Sequence, residues 1–140
     1  MKFIKVITEH TQESLNKFVL SLDPFTLERF CNIYNSFHYI EFEVENGLTA
    51  MYATISDNQI EKLFLEYVKH EINFCYEDIT RNVLFGDLPT LEDEETNKNL
   101  QAMTKLFVED YLDTDTVLEK IKERGMESIN EIDIRVLESH

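Results

Sequence analysis

One stretch leaves this chain little freedom about its fold. In YIEFEVENGLTAMYATI, Tyr39 to Ile55, apolar and acidic residues alternate up to Asn46-Gly47, and a second β-prone run follows. Alternation of this kind marks a strand with one buried face, and Asn-Gly between two such runs signals a hairpin. With Asn46-Gly47 as a two-residue turn, Glu45 faces Leu48, Glu43 faces Ala50 and Glu41 faces Tyr52. Val44, Phe42 and Ile40 then face Thr49, Met51 and Ala53, which makes one face apolar. The other face carries Glu41, Glu43 and Glu45, edged by Tyr39 and Tyr52. A slip of one residue would exchange the faces and bury the carboxylates, so this register is the expected one.

The surrounding sequence supplies a first strand and several helices. MKFIKVIT is β-branched and aromatic, which suits a strand near the centre of a sheet. Leu15, Phe18, Val19 and Leu22 recur at helical spacing after a Thr11 cap, and Asp23-Pro24 restarts the chain as a second helix with Leu27, Phe30, Cys31 and Tyr34 on one side. Ser56-Asp57 opens a helix bearing Ile60, Leu63, Phe64, Tyr67 and Val68. Ile72 to Glu77 reads as a short strand, although helical spacing of Ile72, Cys75, Ile79 and Val83 fits almost as well. With the strand, the order matches a ferredoxin-like split βαβ, an α+β fold whose antiparallel sheet is backed by helices; without it, the chain is mostly helical with one hairpin. Asp78 caps a brief helix that ends at Gly86. Cys31 and Cys75, set among aromatic and aliphatic neighbours, read as buried free thiols.

Residues 1–86 thus form an α+β core with its hairpin at 37–55, 87–95 an acidic linker, and 96–140 a helical extension packed on that core as part of one domain. In the extension, Leu100, Met103, Phe107, Val108 and Tyr111 share a helix face. Thr116 with Glu119, and Ser128 with Glu131, read as capping pairs for two further helices separated by Gly125. The last of these segments, TVLEKIKERGMESINEIDIRVLE, resembles a short helix-turn-helix tail found on assorted bacterial proteins, rhomboid-type membrane proteases among them. The resemblance carries no catalytic residue and implies a packing element.

The chemistry that can be written from motifs is sparse. His70-Glu71 begins like a zinc-binding HExxH, but Phe74 stands where the second histidine would be. Asp110, Asp113 and Asp115 cluster as cation ligands can, yet Leu118 and Arg124 occupy the glycine and glutamate positions of an EF-hand counted from Asp113. Caps and first-turn charges explain these acids better. With only Gly47, Gly86 and Gly125 in the chain, no phosphate cradle can be built. His10, His38, His70 and His140 lack the context of a catalytic group. The expectation is therefore no enzyme, cofactor or metal.

Charge points to the kind of partner. Against 13 Lys and Arg stand 28 Asp and Glu, a net −15 that repels nucleic acid and anionic membrane and attracts a basic protein surface. Residues 87–115 alone carry nine acids and two bases. No apolar run is long enough to cross a membrane, and the default location is the cytoplasm. The function expected from these features is that of an interaction protein of the inhibitor or immunity type, docking on a basic partner and imitating the charge of nucleic acid. Glu41, Glu43, Glu45, Tyr39 and Tyr52 would form the contact, with Glu92, Asp93, Glu94 and Glu95 as a second one. The alternative is a small-molecule sensor, in which Phe42, Phe64, Phe74 and Tyr76 line a pocket.

Overall fold

The N-terminal apolar run becomes β1 (Lys2–Thr8), the strand on which the sheet is assembled. The computed structural model describes residues 1–87 and 89–139, the side chains of residues 12 and 46 excepted; Leu88 of the acidic segment and His140 lie outside the described residues. Within these the chain divides into two compact units, Met1–Ile79 and Thr80–His140.

In the first unit β1 is followed by α1 (Gln12–Ser21), α2 (Pro24–Tyr34), β2 (His38–Val44), β3 (Leu48–Ile55), α3 (Asp57–Lys69) and β4 (Phe74–Asp78). The helix starts follow the sequence signals. Thr11, Asp23 and Ser56 accept the backbone N–H groups of Ser14, Thr26 and Gln59, and Pro24 takes the first helical position. The strand reading of the segment after Ile72 is the one adopted, as β4. The sheet order is β2-β3-β1-β4 and every pairing is antiparallel. β1 and β2 therefore run parallel with β3 between them, and β3 and β4 run parallel with β1 between them. These are two split βαβ units, the ferredoxin-like order, with two helices instead of one in the first crossover.

The hairpin corrects the expected register by one residue. Its loop has three residues, Glu45–Gly47, in a single 3₁₀ turn, so the last pair is Val44 with Leu48. Glu43 is opposite Thr49 and Glu41 opposite Met51, while Phe42 faces Ala50 and Ile40 faces Tyr52. The physical cause lies at Gly47, whose φ of 71° closes a three-residue loop in the left-handed region, a geometry that competes with the two-residue turn for the same Asn-Gly.

Opposed residues share a face, so the consequence spreads through the sheet. Met51, Ala53 and Ile55 pair with Val6, Ile4 and Lys2; five of these six join Leu63, Tyr67 and Ile72 in one core cluster, and the sixth, Lys2, bonds Asp57 at 2.8 Å. This is the face that carries the helices. Tyr39, Glu41 and Glu43 project to it, and Phe3, Phe42 and Tyr52 project to the other, where Phe42 stacks on Tyr52 with centroids 6.1 Å apart. Phe3 and Ile4 are both fully buried, consistent with a central strand.

α3 ends by handing the chain to β4 through a left-handed Glu71 at φ 55°. Ile72 N–H donates to Tyr67 O at 2.8 Å and Glu71 N–H to Val68 O at 3.2 Å, the two bonds of a Schellman motif, with Tyr67 and Ile72 in the core cluster beneath.

The second unit holds α4 (Thr80–Leu84), α5 (Glu94–Tyr111), α6 (Thr114–Arg124) and α7 (Glu131–Glu138). Its caps differ from the expected pairs. Asp113 accepts the Thr116 N–H at 2.8 Å and its hydroxyl at 2.7 Å, so α6 starts two residues before Thr116, and Asp115 falls in its first turn. Met126–Ser128 forms a 3₁₀ turn, and Asn130 rather than Ser128 caps α7, in a box with Asp133. Asp outranks Thr as a capping residue, which fits the first case; Asn and Ser rank alike, and at α7 the Asn130 side chain accepts two N–H groups, those of Ile132 and Asp133. Lys120 donates to Asp133 at 2.8 Å with both side chains buried, and the same carboxylate oxygen accepts the Asn130 N–H at 3.0 Å.

Gly47 is the residue on which the register depends. A Cβ there would sit 3.1 Å from the Thr11 methyl, at a φ that L residues avoid. Gly47→Ala is expected to lower stability by about 1–2 kcal/mol, measured as a lower denaturant midpoint at unchanged slope.

Candidate functional site

The apolar stripes of α1 and α2 do not close on the sheet. Between them lies a cavity of about 280 Å³. Leu15, Phe18, Val19 and Leu22 of the first helix line one side, and Leu27, Phe30, Cys31 and Tyr34 of the second line another. The floor comes from the helix-facing side of the sheet: Thr8, Thr49, Met51, Tyr39 and Glu41, with Tyr67 and Ile72 at the α3 end. Val19, Cys31, Asn35 and Tyr39 at the rim are exposed, so the cavity opens to solvent.

Its polar groups are few and placed together. The Tyr34 and Tyr67 hydroxyls are 2.5 Å apart, tying α2 to α3. Glu41 stands half-buried on the neighbouring strand. Burial pushes the Tyr34 phenol far above its usual range, and Tyr67, its hydrogen bond and the Glu41 charge add to the rise. Tyr67 is raised mainly by burial, against the bond from Tyr34 and with a further contribution from Glu41. Burial and then Glu41 raise Tyr39. Three phenols thus feel one carboxylate. Tyr34 and Tyr39 also meet edge to face, with centroids 5.4 Å apart.

α2 is held in place from its other side. Arg29 forks onto Glu66 of α3, Nε to Oε1 at 2.7 Å and Nη2 to Oε2 at 3.2 Å, and the Glu66 side chain is only 5% exposed. His70, the first residue of the HE pair, is the C-cap of α3; its ring packs on Phe18 and Phe30 and its Nε2 lies 3.5 Å from Glu66. It supports the cavity wall. Among the described residues no group of three His, Cys, Asp or Glu could hold a metal ion.

The residues singled out from sequence are distributed differently than expected. Glu41 and Tyr39 belong to the cavity, whereas Tyr52 is buried on the opposite face, with the Lys5 ammonium 5.7 Å from its ring centroid. Glu43 and Glu45 are exposed at the end of β2 and in its turn. Asp93 is the N-cap of α5, accepting the Thr96 N–H at 2.8 Å, and Glu94 and Glu95 form that helix's first turn; with Glu92 they are exposed on the second unit. Phe64 packs on Phe74 and on the exposed Tyr76, with centroids 4.6 and 4.7 Å away, while Phe42 lies on the other side of the sheet. Cys31 and Cys75 are free as expected but exposed rather than buried, since one sits at the cavity rim and the other on an edge strand.

Sequence periodicity identifies the two helix stripes as amphipathic faces and does not show a space between them. The signal that distinguishes them is a tyrosine at the end of one stripe, Tyr34, with a second, Tyr67, on the helix that pairs with it. Searches against protein-family models, curated proteins and solved structures return no match to this chain. No helix among the described residues is long and apolar enough to cross a membrane.

The raised phenols set an alkaline limit. In the unfolded chain Tyr34 and Tyr67 ionise near about pH 10; in the fold they resist ionisation, so their stabilising contribution is whole below that pH and is lost above it. Tyrosinate absorbance should therefore show these two ionising only together with loss of the circular-dichroism signal. Tyr34→Phe should make the alkaline fall in stability shallower.

Proposed function

We propose that the first unit is a non-catalytic ligand-binding domain and that the cavity beneath α1 and α2 is its site. The observation that carries this reading is the composition of that one half-open space. Two helix stripes of apolar and aromatic side chains surround it, and among its polar groups the Tyr34–Tyr67 hydroxyl pair lies within the field of the Glu41 carboxylate. Ligand pockets combine mostly apolar linings with a few fixed polar groups, and span roughly 300–1,000 Å³. This cavity, near 280 Å³, lies at the small end, which suits a metabolite-sized molecule. Among the described lining residues no nucleophile–base pair is seen in hydrogen-bond reach, and the reading taken is therefore binding.

Cys31 offers a direct readout because it lines the cavity, while Cys75 does not. N-phenylnaphthylamine, a neutral fluorescent apolar probe, should brighten on binding and slow alkylation of Cys31 while leaving the Cys75 rate unchanged. Val19→Trp, a bulky side chain placed at the exposed rim, should weaken both effects. Equal alkylation of Cys31 with and without the probe would remove the cavity from consideration.

A second reading is favoured by charge. The net −15, with Glu43, Glu45, Glu92, Glu94 and Glu95 exposed, would steer the protein to a basic protein surface, which it would modulate or inhibit by imitating nucleic acid. Capture of such a partner should fall steeply between low and high salt; capture indifferent to salt would argue against this route.

A further inference from the structure

We infer that the ligand of this cavity is a lipophilic organic cation, an alkyl- or arylalkylammonium whose apolar body lies between α1 and α2 and whose charged head meets Glu41. This rests on the ligand-binding reading above and goes beyond it by naming the chemical class.

Three independent features point the same way. The first is the ring content of the wall: Phe18 and Phe30 meet at 5.8 Å and 88°, and Tyr34, Tyr39 and Tyr67 complete an aromatic surround. Aromatic faces carry negative quadrupole potential, so a cation held over them is attracted more strongly as water is excluded. The second is charge. Among the described lining residues Glu41 is the one charged group, and none is Lys or Arg. An anionic ligand would meet a carboxylate and phenol rings, whereas an ammonium meets a counter-charge and an aromatic lining. The influence of Glu41 on Tyr34, Tyr39 and Tyr67 places its field across the same wall. The third is the surrounding protein: a net charge of −15 raises the local concentration of cations at any opening in its surface.

The apolar component sets the other half of the specificity. Leu15, Leu22 and Leu27 offer no hydrogen-bond partner, so a small hydrated cation would lose water there without replacement. A cation with a hydrocarbon body satisfies both parts of the site.

The test uses three molecules of one shape and different charge, phenylbutylamine, phenylbutanol and phenylbutyrate, titrated calorimetrically into the full chain and scored in parallel by protection of Cys31. The amine is expected to bind about tenfold more tightly than the alcohol, and the carboxylate most weakly. Glu41→Gln should bring the amine down to the alcohol. Glu43→Gln, which removes the same charge from an exposed position two residues along the same strand, should leave the preference intact. Equal binding of amine and alcohol by the unmodified protein overturns the inference and leaves the ligand-binding reading standing, and this ranking decides the matter even if Glu41→Gln fails to fold. An equal loss in both variants also overturns it, since the attraction would then belong to the whole molecule. If none of the three protects Cys31, the cavity reading falls with it.

Discussion

The parity of one loop governs the character of the first unit. A three-residue turn pairs Glu41 with Met51, and the pairing of Met51 with Val6 places that glutamate on the side of the sheet that the helices cover. A two-residue turn would have put Ile40 and Phe42 there instead, and the same helices would have roofed an apolar floor. The loop and the roof are also joined directly. Gly47 packs within reach of the Thr11 methyl at the start of α1, and the Thr49 hydroxyl donates to the His10 carbonyl just before it. The residue that fixes the register therefore also fixes the entry of the helix that lines the cavity.

The opposite wall depends on buried polar contacts rather than on packing alone. α2 is attached to α3 by Arg29 on Glu66 and by the Tyr34–Tyr67 hydroxyl contact. Glu66 is almost wholly buried, and charge taken out of water is retained only where its oxygens are answered, here by both arms of a guanidinium. Another docking of α2 would withdraw the guanidinium and leave Glu66 with only the longer contacts to Lys69 and His70 on its own helix. The second unit uses the same device where Lys120 and the Asn130 N–H answer Asp133.

The elements were legible from sequence because they rest on local physics. Thr11, Asp23-Pro24 and Ser56 start helices by satisfying orphan N–H groups, and a three-letter window suffices to see it. β1 is recognisable as central from its β-branched and aromatic residues. The register was not legible, because Asn-Gly serves two loop lengths and the choice between them is made by contacts with Thr11 and His10, some 36 residues away in the chain for the first. The cavity escaped notice for a related reason. Periodicity reports that a helix face is apolar, and it reports the same for a face that fills a core and one that lines a space. The glutamates were noticed, but a pattern of alternating acids reads as a solvated face until the pairing partner is known.

The openness of the cavity follows from that same carboxylate. Leu15, Phe18, Leu27 and Phe30 are enough apolar surface to close a core, and closing it would gain dispersion contacts that a void forfeits. Closure over this floor, however, would take the Glu41 carboxylate further out of water along with Thr8 and Thr49, and desolvating an ionised carboxylate is costly. β2 is an edge strand, and Glu41 on it is half-buried. A leucine at position 41 would remove that conflict and let α1 and α2 settle onto the sheet. The inward glutamate on the edge strand is thus both the charged group of the cavity lining and a charge that opposes its closure.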